Sequence, residues 1–150
     1  MPGVIFAFYV AKGGWRDKLI RWATSSRYSH VEIVTDAQLK PENWAIAASK
    51  RDGNRVREKL IKWTPEHWEF WHLPTDQAEQ IIDRAVKHEG APYDALGALL
   101  AVTPLNLHSS RGWFCFELAA NAIGEMFPHM HTGNSLQRRL KELGAERITT

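Results

Sequence analysis

The chain of 150 residues contains one cysteine, Cys115, so no internal disulfide can form and the fold does not depend on an oxidising compartment. Long apolar runs are missing. Residues 1–10 are apolar but far too short to span a bilayer, and they carry neither a basic leader nor a clear small-residue cleavage site. They read as a strand, with no integral membrane segment, no Sec signal and a cytoplasmic location by default, although a phage-encoded or effector protein would read the same way. Excess charge is also lacking: a formal net charge of +2 argues against nucleic acid or an anionic membrane as partner. No glycine-rich phosphate loop is present, because Lys12-Gly13-Gly14 lacks the spacing of either nucleotide fingerprint. Internal repeats, low-complexity runs and linkers are absent too.

What is present suits one domain over 1–150. Hydrophobic residues make up 44% and charged residues 24%, a balance that supports a real core and excludes disorder. Seven tryptophans stand out, and packing is the simplest use for most of them. Residues 4–10 predict a first strand ended by Lys12-Gly13-Gly14. Residues 15–23 predict a short amphipathic helix with Trp15, Leu19, Ile20 and Trp22 or Ala23 on its apolar side. Strands follow at 28–35, 44–49, 56–63 and 69–73, the middle two joined by a hairpin turn at 51–54 that contains Asp52-Gly53. A helix is expected over 77–88, closed by Gly90, then a turn at 91–94 and a buried helix over 95–102. An exposed connection over 104–110 leads to a helix beginning near Glu117. A last helix is expected around 136–143 and a strand at 146–149. Strands gather in the first half and helices in the second, which gives an α+β class.

The chemistry centres on Cys115, which stands where a loop becomes a helix. A thiol in the first turn of a helix meets unpaired amide N–H groups and the positive end of the helix dipole, and both favour the nucleophilic thiolate. The plain alternative is a buried, inert cysteine. A nucleophile needs a base, and the base needs an orienting group. His30 lies in a strand of apolar neighbours, with Glu32 two residues on, on the same face and about 6.5–7 Å along it. That carboxylate can reach the imidazole, fix its tautomer and stabilise its cation. The alternative is a solvent-facing His–Glu pair. His129 and His131 form a His-Met-His, but no second cluster of ligand spacing accompanies them, so neither a metal nor another cofactor is expected.

The order of Tyr28-Ser29-His30-Val31-Glu32, a hairpin, a helix, Gly90-Ala91-Pro92-Tyr93-Asp94 and Trp113-Phe114-Cys115-Phe116-Glu117-Leu118 resembles the circularly permuted branch of the NlpC/P60 papain-like superfamily, the YiiX/YebB-like group. The likeness spans roughly residues 4–125. It implies a small antiparallel sheet or half-barrel packed against helices, with the histidine strand preceding the cysteine helix. It also implies Cys115 as nucleophile, His30 as general base and Glu32 as the third member, although in the wider superfamily the orienting group often lies on the next strand, here near Ala48 or Ser49. Tyr93 matches a tyrosine beside the oxyanion site. Phe116 departs from the small or hydroxyl residue that many relatives carry after the cysteine, which bears on the shape of the substrate pocket.

The expectation is therefore a cysteine hydrolase, an amidase or peptidase working through an acyl-enzyme. Its substrates would be peptides, peptidoglycan fragments or lipid-linked amides. Acyl transfer to a lipid acceptor and a non-catalytic papain-like binding module are the alternatives. A dry cleft lined by Trp and Phe would favour acyl transfer.

Overall fold

The computed structural model describes residues 2–10, 14–23, 26–95 and 112–149. The elements run β1 (Gly3–Tyr9), α1 (Trp15–Ala23), β2 (His30–Val34), β3 (Glu42–Ser49), β4 (Arg55–Lys62), β5 (Trp68–Pro74), α2 (Ala78–Val86), α3 (Cys115–Ala122), α4 (Gly133–Glu142) and β6 (Glu146–Ile148). This is an α+β arrangement around a six-stranded antiparallel sheet of order β4-β3-β2-β1-β5-β6.

β1 is apolar throughout because it is covered on both faces. Val4, Phe6 and Phe8 point into a core with Val31 and Ile33 of β2, and α2, α3 and α4 close that core with Ile81, Leu118, Leu136 and Leu140. Ile5 and Ala7 point the other way, to Val34, Ala45, Trp63 and Phe70. Fully burying each large apolar side chain contributes about 1.5–3 kcal/mol, so the two layers together fix the central strand.

The hairpin between β3 and β4 forms where Asp52-Gly53 predicts it, but the left-handed residues are Gly53 (φ 84°) and Asn54 (φ 56°). Asp52 is thereby left free to bond side chains, which proves decisive for the site. Gly90 (φ 83°) ends the turn after α2, as a residue without a Cβ can.

The amphipathic pattern of α1 gives a helix with the expected bounds, yet the described side chains of its apolar side are exposed. Trp15 is 71% exposed, Trp22 79% and Leu19 46%. The helix-side face of the sheet is covered by α2, α3 and α4, and no described side chain of α1 belongs to either core. The buried helix expected over 95–102 and the connection over 104–110 lie, Ala95 apart, outside the described residues. Among the described residues no helix is long and apolar enough to cross a membrane.

Candidate active site

β2 starts at His30, and strand alternation sets His30, Glu32 and Val34 on the face away from the helical core. Glu32 is 1% exposed. The solvent-facing pair allowed by the sequence is therefore not what forms: the carboxylate is shut in and must be matched by charge. His30 Nε2 lies 2.7 Å from Glu32 Oε1. Arg57 of β4 grips the same carboxylate with both terminal nitrogens, at 2.8 Å to Oε2 and 2.7 Å to Oε1. Asp52, from the hairpin, accepts from Arg57 Nε at 3.1 Å and from Lys59 Nζ at 2.9 Å. Ser49, near where the orienting group lies in relatives, donates to Asp52 at 3.2 Å; it is Glu32 that touches the imidazole.

Arg57 can reach Glu32 across an intervening strand because that strand is thin on this face. β3 lies between β4 and β2, and its residue opposite Arg57 is Ala47, with Ala45 opposite Lys59. Two methyl groups leave a trough in which the guanidinium lies.

The thiol of Cys115 comes to the same imidazole. Its sulfur lies close enough to raise the His30 pKa, and Glu32 already holds Nε2, so Nδ1 is the nitrogen left for the sulfur. Cys115 is the first residue of α3, preceded by an extended Phe114, and is 5% exposed. Tyr93 flanks it from the bridge that pairs Tyr93 with Trp113. Gly112 sits against Pro92 and Asp94 so closely that a Cβ would meet the Pro92 carbonyl oxygen at 3.0 Å, which explains a glycine just before this bridge.

The electrostatics follow from this packing. Burial alone would push the His30 pKa down, but the Glu32 carboxylate and the Cys115 sulfur outweigh it and raise it to about 10. Burial would raise the Glu32 carboxyl, yet Arg57 and His30 hold it below the ordinary carboxylate range. Burial, Cys115 and Asp94 together push the Tyr93 phenol up, so it keeps its proton and remains a hydrogen-bond donor beside the sulfur. Glu117, one turn into α3, is raised to about 8 by burial and by Asp94, against the Phe114 amide that it accepts from.

A cleft of about 370 Å³ opens over this group, lined by Tyr9, Ser29, His30, Glu32 and Tyr93 among others. The four residues singled out in the sequence thus come together. Sequence reasoning missed Arg57 and Asp52: one stood among alternating charges in a strand, the other was absorbed into the hairpin signal. The alanines at 45 and 47, on one face of β3, were the only hint that something long lies across it. Among the described residues no three His, Cys, Asp or Glu side chains cluster as metal ligands do.

Neither the protein-family models nor the curated proteins searched include a match to this chain.

Proposed function

We propose that the protein is a papain-like cysteine hydrolase that cleaves an amide or peptide bond, with a fold of the permuted NlpC/P60 kind. The observation that carries this reading is the line of groups from Cys115, whose sulfur raises the His30 pKa, to His30 hydrogen-bonded to Glu32, with Arg57 behind it. Such a line is what a thiol needs to become a nucleophile at neutral pH.

In this mechanism the thiol proton passes to His30, and the sulfur attacks the substrate carbonyl. The Tyr93 hydroxyl and the Cys115 backbone N–H donate to the oxyanion. Collapse of the tetrahedral intermediate breaks the C–N bond, and His30 gives its proton to the leaving amine. Water, deprotonated by His30, then attacks the thioester, and the acid product leaves with the thiol restored. Glu32 keeps the imidazole oriented and stabilises its cation throughout, and Arg57 keeps Glu32 ionised although it is buried.

The cleft favours hydrolysis over acyl transfer to a lipid, because it is lined by lysines and arginines as well as aromatic rings and is not a dry apolar channel. The test is the rate at which iodoacetamide alkylates Cys115 across pH. Fast reaction near pH 6, about where a free thiol is mostly protonated, supports the enzyme. A thiol that reacts no faster than free cysteine at any pH returns the protein to the non-catalytic scaffold.

A further inference from the structure

The cleft beside His30 is strongly cationic. Lys50, Arg51, Arg57, Lys59 and Lys62 line it, against two carboxylates, Glu32 and Asp52. Both carboxylates are consumed within the site: Glu32 by Arg57 and His30, Asp52 by Arg57 and Lys59. Lys50 bonds to no carboxylate among the described residues and is exposed at the rim, whereas Lys62 stands opposite Glu42 in the β3–β4 ladder. A chain of net charge only +2 has thus set more cations than carboxylates around the place where substrate would enter, with Lys50 unpaired by any carboxylate among the described residues. A second observation points to the same place. The Ser29 hydroxyl, next to His30 in the chain, is buried and has no hydrogen-bond partner among the described residues, yet Ser29 lines the cleft. A buried hydroxyl without a partner is rare and marks a place where something else supplies the acceptor.

We propose that the substrate carries an anionic group, a carboxylate or a phosphate, close to the bond that is cleaved. Lys50 draws it in, and the Ser29 hydroxyl donates to one of its oxygens. This rests on the hydrolase reading and deepens it. The low-dielectric wall around Glu32 and Trp68 strengthens the field in the cleft and steers anions toward His30.

The experiment compares alkylation of Cys115 by iodoacetate, which is anionic, with alkylation by iodoacetamide, which is neutral and nearly the same size. Each rate is normalised to free cysteine. His30 alone would favour iodoacetate, so the decisive comparison is between the wild type and a Lys50→Glu variant whose fold is checked by circular dichroism. The iodoacetate preference is expected to fall by about threefold or more in the variant and in 0.5 M salt, as screening of exposed charges requires. Ser29→Ala is expected to lower it as well. An unchanged preference in the lysine variant, with fast alkylation by both reagents, overturns the anionic substrate and leaves the hydrolase standing. Slow alkylation of the wild type by both reagents overturns both. Protection of Cys115 from iodoacetamide by N-acetylglutamate or by inorganic phosphate identifies the oxyanion, and equal protection by neutral N-acetylglutamine counts against the proposal.

Discussion

Arg57 holds both oxygens of Glu32, at 2.8 and 2.7 Å, from a strand that is not adjacent to the one carrying Glu32. This bidentate pair is the structural root of the site. A carboxylate 1% exposed would otherwise be driven to its neutral form and could not support an imidazolium.

Removing the pair is therefore costly in two ways. Arg57→Met removes the bidentate partner of a buried carboxylate, leaving only His30 to match it, and is expected to destabilise the fold by about 3 kcal/mol in urea unfolding. Arg57→Lys keeps the charge but loses the fork, and should recover only part of that stability. Ala47→Leu fills the trough beneath the guanidinium and should cost about 1–3 kcal/mol through overpacking. A midpoint for Ala47→Leu equal to the wild type would show that Arg57 does not depend on the gap.

Catalysis should fail before stability does when the chemistry itself is touched. Cys115→Ala is expected to abolish turnover of an amide substrate while the circular dichroism spectrum and urea midpoint stay close to wild type. Glu32→Gln, which cannot balance the imidazolium, should lower kcat by about 10²–10⁴-fold with a smaller change in KM. Full activity in either variant would end the assignment of these roles.

The raised His30 pKa sets the alkaline limit. With the folded-state value at about 10 against an ordinary 6.5, the imidazolium persists through neutral pH and is lost as pH rises through about 10. Activity should accordingly hold past pH 8 and fall on a limb near pH 10. Stability gained from the same proton is fully present below pH 6.5 and declines as pH rises to about 10. Cys115→Ala removes one of the groups that raise it, so NMR titration of the His30 ring should give a lower pKa in that variant.

Glu117 gives a separate pH signature. Its folded-state pKa is about 8 against 4.5, so its protonated form stabilises the fold below 4.5 and that stability is lost as pH rises through about 8. Glu117→Gln mimics the neutral acid. Between pH 5 and 8.5 its urea midpoint should decline less than that of the wild type, and a parallel decline would show that Glu117 is already ionised in the native protein.

The tryptophans divide by position. Trp63 is 6% exposed and donates its indole N–H to Asn43 at 2.9 Å, so Trp63→Ala should cost about 3–5 kcal/mol. Trp22→Ala, at an exposed position of α1, should stay within about 0.5 kcal/mol of wild type. Thermal unfolding of the two variants is sufficient to separate them.

Much of the architecture was legible because it is written in local periodicity. Residues 15–23 form the helix that their spacing predicts, and the last helix begins three residues earlier than read, at a Thr132 whose hydroxyl accepts from the Ser135 amide. His30 and Glu32 share a face because strands alternate, and Cys115 opens a helix because Phe114 is extended and helix formers follow. The outward face of α1 was not legible, since a hydrophobic stripe says what would like to be covered and not whether anything covers it.

By itself the sequence determined which segments become strands and helices, the common face of His30 and Glu32, and the place of the lone sulfur at a helix start. Those depend on interactions a few residues long. Only the tertiary structure decided that Glu32 is buried, that Arg57 crosses an alanine-floored strand to hold it, and that Cys115 meets the ring of His30. Strand order and sheet packing, not spacing along the chain, choose which distant charges share a low-dielectric space, and that choice sets the chemistry.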